Sequence, residues 1–241
     1  IKRAFEYPIF TEPEDALSAL AISREHYRKR KISKEKPPSY SVDRSRVKPL
    51  IRKAGKEKRD LLLPEAFEVL QAYGIPLADY QIAYRKEDLK KLMNQIGAPV
   101  VLKAISLEIY HKSEIGGVVL NINHLSVAEE AYDKMKRRFK GTPSRILVQK
   151  MVSGGKEVIL GAKRDPSFGP VILFGLGGIF VEILKESSLR VAPINRSEAK
   201  EMISELKASD ILKGARGERP LDIEALIENL LRLSQLMIDF P

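Results

Sequence analysis

Lys103 closes the apolar run Pro99-Val100-Val101-Leu102, and a polar, glycine-bearing segment, Ser113-Glu114-Ile115-Gly116-Gly117, follows it. A cation on a long stem beside backbone N–H groups that can approach closely is what a phosphate site requires. From spacing alone, a solvated lysine at a strand end followed by a turn is the simpler reading. A second glycine cluster, Gly175-Leu176-Gly177-Gly178-Ile179-Phe180, approaches the dinucleotide fingerprint but has Phe180 where the last glycine is needed. It reads as a tight strand connection with room for an anion contact. With no cysteine and only His26, His111 and His124, the chain offers no disulfide framework, thiol nucleophile, thiolate site or histidine-rich metal site. Any metal would be held by oxygen ligands. His111, taken alone in a polar loop, reads as a surface residue.

Elements that could position these residues follow from periodicity. A helix is expected over 13 to 28, opened by Pro13 with Glu14 and Asp15 at its positive end. From Ser33 to about Asp60 the chain is rich in Lys, Pro and Ser and reads as a linker without regular structure. Helices are predicted at 64 to 73, ended by Gly74, and at 86 to 96, leading into a buried strand at 99 to 104 with Lys103 near its end. A strand at 118 to 122 and a helix at about 126 to 139, opened by Ser126 with Glu129 at the capping-box distance, complete a first α+β unit. A second is expected to open with an antiparallel hairpin, 145 to 151 returning as 157 to 163 through Ser153-Gly154-Gly155. Strands at about 170 to 174 and 189 to 194, then helices at about 197 to 207 and 222 to 238, follow.

The formal charge is +10, and residues 1 to 60 hold 17 Lys and Arg against 9 Asp and Glu, leaving only +2 beyond them. Few aromatic side chains interleave these cations, so base-stacking platforms are missing and a nucleic-acid partner is not expected. No run of about 18 apolar residues could cross a bilayer and the first residues lack a secretory core, so a cytoplasmic protein without a membrane partner is expected.

In combination, Pro99-Val100-Val101-Leu102-Lys103, Tyr110-His111-Lys112-Ser113-Glu114-Ile115-Gly116-Gly117-Val118, Val148-Gln149-Lys150-Met151, Lys156-Glu157-Val158-Ile159 and Phe174-Gly175-Leu176-Gly177-Gly178-Ile179-Phe180-Val181-Glu182 closely resemble the β-type module of ADP-forming acetyl-CoA synthetases, relatives of succinyl-CoA synthetase. The likeness runs in order from roughly Leu63 to Pro241. Residues 1 to 32 look like the end of the CoA-ligase domain that precedes this module in fused members.

The resemblance implies an α/β (α+β) ATP-grasp fold with two α+β subdomains, at 61–144 and 145–241, preceded by a helical tail at 1–32 and a basic linker at 33–60. It implies reversible conversion of acyl-CoA, ADP and phosphate into acid, CoA and ATP through a phosphohistidine. His111 would carry the phosphoryl group, and Lys103 would contact the nucleotide phosphates. Gln149, Lys150, Met151 and Val152 would form the hinge whose backbone meets adenine, with Glu157 at the ribose or polyphosphate edge. Ser113, Gly116 and Gly117 would belong to the phosphate loop, while Gly177, Gly178 and Glu182 would border the transfer space. Magnesium ligands, in this family an acidic-x-Asn-Pro element and a later Asp, would lie past Pro241. The chain by itself is therefore expected to be an incomplete, inactive module needing CoA-binding and CoA-ligase domains of the same polypeptide or a partner subunit, which handle acyl-CoA and organic acid. The alternative is a non-catalytic regulatory module of an acyl-CoA-synthetase-related protein acetyltransferase.

Overall fold

The computed structural model describes residues 9–32, 35–105, 116–139, 145–177, 187–207, 209–212, 214 and 220–240. In chain order the elements are α1 (Pro13–Ile32), α2 (Arg44–Lys56), α3 (Leu63–Ala72), β1 (Tyr80–Ala83), α4 (Asp88–Ile96), β2 (Val100–Ile105), β3 (Val118–Ile122), α5 (Leu125–Arg138), β4 (Arg145–Lys150), β5 (Val158–Asp165), β6 (Gly169–Leu176), β7 (Ser187–Val191), α6 (Arg196–Ser204), a 3-10 turn (Ser209–Ile211) and α7 (Ile223–Asp239). They fall into two compact units, Tyr40–Lys156 and the pair of segments Ile1–Ser39 and Glu157–Pro241.

The unit Tyr40–Lys156 is built on an antiparallel sheet of order β1-β4-β2-β3. The β-branched run Val100-Val101 suits the sheet's centre, and its side chains alternate between two faces. One face, carrying Ala83, Val100, Leu102, Ala104, Ile146 and Val148, forms the core with Leu89, Leu92 and Met93 of α4 and Ala128, Ala131, Tyr132 and Met135 of α5. The opposite face carries Val101, Lys103, Leu147 and Gln149, which the register sets side by side on β2 and β4. Gly74, at φ 69°, ends α3 in a Schellman turn in which Ile75 N–H donates to Leu70 O at 3.0 Å and Gly74 N–H to Gln71 O at 2.9 Å.

Three expectations are corrected within this unit. Residues 44–56, read as linker, are a helix. The Asp43 carboxylate accepts the Ser45 hydroxyl at 2.5 Å and the Arg46 N–H at 3.2 Å, contacts that hold it below its ordinary value, the Ser45 hydroxyl most. Val47 and Ala54, at i and i+7, are buried, and the helix packs against α3. The hairpin of 145–151 with 157–163 does not form: β4 is inserted between β1 and β2, whereas β5 pairs with β6 in a separate sheet. A Gly-Gly turn between two strands imitates a hairpin, but the apolar face of β4 is satisfied by the first core. Finally, His124 rather than Ser126 is the N-cap of α5, without a side-chain cap bond.

The other unit holds the antiparallel sheet β5-β6-β7. Helices α6 and α7 pack on it, with Ile172 and Phe174 of the sheet and Met202, Leu230 and Leu231 of the helices buried. Asn195 caps α6 by a capping box, its side chain accepting the Glu198 N–H at 2.9 Å while Glu198 accepts the Asn195 N–H at 2.8 Å. Helix α1 is tied to α6 by Arg28, which binds Glu201, and Arg190 of β7 binds Glu201 at 3.3 Å and Glu205 at 2.7 Å. These carboxylates, Glu205 most, raise the Arg190 guanidinium above its ordinary value. Among the described residues, no helix is long and apolar enough to cross a membrane.

Candidate functional site

Lys103 stands in β2 opposite Val118 of β3 and Leu147 of β4, on the face turned away from α4 and α5. It is half-buried. Its Nζ donates to Gln149 Oε1 at 2.8 Å, and Gln149 Nε2 donates to Ala78 O at 3.2 Å. At the same end of the sheet Ala104 N–H donates to Gly117 O at 2.8 Å, which sets the glycine pair one step beyond Lys103. Gly116 takes φ 67°, a left-handed conformation that glycine adopts without penalty, and a Cβ built there would lie 3.5 Å from the Arg138 guanidinium. Lys134, Arg137 and Arg138 line a groove with Gly116 of about 510 Å³. The groove lies on the α5 side of the sheet, whereas Lys103, fourth of the six residues of β2, stands on the face turned away from α5.

At the other end of β4 the backbone leaves the sheet. Lys150 N–H donates to Asp79 O at 2.8 Å and Met151 N–H to Pro99 O at 3.0 Å, so both hinge donors serve the fold. The Lys150 ammonium turns to the α4–β2 connection, donating to Gly97 O at 2.8 Å and Ala98 O at 3.1 Å. Val152 is exposed.

In the other unit, Gly177 follows β6 and Glu157 precedes β5, and they meet: Gly177 N–H donates to Glu157 O at 2.7 Å. A Cβ at Gly177 would lie 2.8 Å from Glu157 Cβ and 3.0 Å from its carbonyl carbon, closer than side chains pack. Glu157 itself is exposed. Thus Lys103, Gln149, Gly116 and Gly117 are gathered in one unit, and Glu157 and Gly177 in the other. His111, Ser113, Gly178 and Glu182 lie outside the described residues. Among the described residues, no group of three or more His, Cys, Asp or Glu side chains could hold a metal ion.

Sequence reasoning assigned the Gln149 backbone but missed its side chain; the signal was one amide in the apolar run Ile146-Leu147-Val148-Gln149. It also missed Arg138, which only the fold brings to Gly116.

The family model for the ATP-grasp domain matches residues 53–241. The chain belongs to the ATP-grasp modules of ADP-forming acyl-CoA synthetases. The β subunit of acetate–CoA ligase (ADP-forming) I from Pyrococcus furiosus is 45% identical over 202 residues, covering 82% of this chain and 87% of that one. Acetate–CoA ligase (ADP-forming) I from Archaeoglobus fulgidus is 41% identical over 249 residues, which take in all of this chain but 36% of that protein. The chain therefore spans about a third of that relative. Among solved structures, dinucleotide-forming acetyl-coenzyme A synthetase 1 of Ca. Korarchaeum cryptofilum matches with a TM-score of 0.68 and 38% identity, covering 80% of this chain and 85% of that one. That protein was solved with coenzyme A and Mg-AMPPCP, its phosphohistidine segment pointing towards the nucleotide-binding site. The ATP-grasp fold expected from sequence is the fold of this family.

Proposed function

We propose that this chain is the nucleotide-binding and phosphoryl-transfer module of an ADP-forming acyl-CoA synthetase, catalysing acyl-CoA + ADP + phosphate ⇌ acid + CoA + ATP together with CoA-binding and CoA-ligase domains. The observation that carries this reading is Lys103, held by Gln149 on the face of its sheet turned away from α4 and α5, with its strand neighbour Ala104 bonded to Gly117. The relatives described above are ligases, which favours catalysis over a regulatory acetyltransferase module.

In this reading the Lys103 ammonium receives the phosphates of ADP or ATP as a point charge. The hinge donors of Lys150 and Met151 are engaged within the fold, so the adenine edge is left to the exposed segment at Val152. Lys150 then acts on adenine indirectly, by fixing the hinge against the Gly97–Ala98 carbonyls. Glu157 serves the ribose or polyphosphate edge. Gly177, Gly178 and Glu182 border the transfer space, with Ser113, Gly116 and Gly117 in the phosphate loop.

His111 carries the phosphoryl group between half-reactions. An imidazole is substantially neutral and nucleophilic near pH 7. Towards ATP, the N–P bond at His111 breaks as a β-phosphate oxygen of ADP bonds to phosphorus; the reverse transfer regenerates phosphohistidine and ADP. Magnesium, when bound, would neutralise charge on the moving phosphoryl group. No acidic cluster among the described residues fits it, so the roles above rest on the chain's own side chains.

The test is a calorimetric titration of the protein with ADP and ATP, with and without magnesium, beside Lys103→Ala. Loss of a charge-assisted contact predicts about tenfold or more weaker binding in the variant. Equal affinities in the two proteins would remove Lys103 from the site and sink the reading.

A further inference from the structure

Gln149 is a polar residue in an apolar place. Its side chain belongs to a residue only 8% exposed, next to Ile146, Leu147 and Val148, each 0% exposed. A buried amide is costly unless both of its ends are bonded. Both are: Oε1 accepts from Lys103 Nζ at 2.8 Å and Nε2 donates to Ala78 O at 3.2 Å. The orientation is chemically fixed, because a carbonyl only accepts and an ammonium only donates. The amide must therefore turn its nitrogen to Ala78 and its oxygen to Lys103.

The register explains why it can reach both. Gln149 lies opposite Tyr80 of β1 on one side and Val101 of β2 on the other, so Ala78 is just ahead of the β1 partner and Lys103 two residues past the β2 partner, on the same sheet face. A lysine has a long, rotatable stem, and ordering it on meeting a ligand opposes binding. A lysine already held at its tip meets a phosphate with that cost reduced, and an ammonium has three donors, so one contact to Gln149 is compatible with further ones.

We infer that the Gln149 side chain is a positioning residue for the phosphate-binding lysine, acting through Lys103 rather than on the nucleotide. The inference rests on the proposed contact of Lys103 with phosphate. It requires an amide in particular. A carboxylate at this position would set lone pairs against the Ala78 carbonyl and pair its charge with Lys103, drawing the cation away from phosphate. An apolar side chain of equal length would remove the Gln149 contact from the lysine.

The experiment measures dissociation constants for ADP and for adenosine, which lacks the phosphates, in the wild-type protein, Gln149→Met, Lys103→Met and the double variant. The expected result is about tenfold weaker ADP binding in Gln149→Met, with adenosine binding unchanged and no added effect of Gln149→Met in the Lys103→Met background. Equal weakening of ADP and adenosine would overturn the inference by making Gln149 a general support of the hinge. Lys103→Met weakening ADP while Gln149→Met does not would also overturn it, and would leave the Lys103 reading standing. If Lys103→Met leaves ADP binding unchanged, the phosphate reading fails and the inference falls with it. Gln149→Glu keeps size and polarity and serves if Gln149→Met does not fold: it should likewise weaken ADP and spare adenosine, and unchanged ADP affinity would overturn the inference.

Discussion

Gly177→Ala tests whether the glycine cluster after β6 is there for packing. A Cβ at this position would stand 2.8 Å from Glu157 Cβ, 3.0 Å from its carbonyl carbon and 3.1 Å from its carbonyl oxygen. Two of these three atoms are backbone, and the same carbonyl accepts the Gly177 N–H at 2.7 Å, so the clash cannot be relieved by a rotamer change. Overpacking costs about 1–3 kcal/mol and loss of the hydrogen bond about 1 kcal/mol, giving about 2–4 kcal/mol in all. The two units could unfold separately, so a single global transition would dilute the effect. Amide hydrogen exchange in β5 and β6 reads it locally, and about 2 kcal/mol predicts roughly thirtyfold faster exchange there. Gly161→Ala is the control, since its Cβ would meet only Leu173 Cβ at 3.6 Å and Leu173 Cδ2 at 3.7 Å, ordinary contacts. It should be neutral or slightly stabilising, by up to about 1 kcal/mol. Equal exchange in Gly177→Ala and wild type would refute the packing argument.

Two further outcomes are expected. Val47→Ala should destabilise the unit Tyr40–Lys156 by about 2 kcal/mol in denaturant unfolding, because Val47 is 0% exposed; no change would mean that residues 44–56 behave as a solvated linker. Glu65 accepts Arg59 Nη1 and Nη2 at 2.7 and 2.9 Å and the Leu62 N–H at 2.8 Å, and Arg59 most of all holds its carboxyl below the ordinary 4.5. Because the folded value is the lower one, its contribution is complete above about pH 4.5 and is lost as the pH falls through the lowered folded value. Glu65→Gln should therefore cost about 1–2 kcal/mol at pH 7 and flatten the acid limb of stability against pH; an unchanged acid limb would contradict this assignment.

Much of the scaffold was readable because long segments declare themselves by period. The helix at 223–239 buries Ile227, Leu230 and Leu231, and the run at Val100 is a central strand, as the pattern demands. The helix at 44–56 was hidden by composition: Lys, Arg and Pro49 surround the few apolar positions, and the cap at Asp43 is a local signal that a charge-rich window obscures. The pairing of β4 was not readable at all, since a strand's sequence says that it needs neighbours but not which ones. Lys103 stood out as a cation in an apolar run, but spacing alone favoured a solvated lysine, and only the family resemblance pointed it at the nucleotide phosphates. The Gln149 side chain was equally anomalous, yet its role depends on a partner 46 residues away that only the sheet register supplies. Arg138 has no such local mark.

The most direct test of the proposed nucleotide site is photolabelling with an azido-adenine analogue of ADP, followed by identification of the modified peptide. The account predicts labelling at the hinge around Val152, suppressed by excess ADP and weakened in Lys103→Ala. Labelling on another surface, or labelling that excess ADP does not displace, would contradict it.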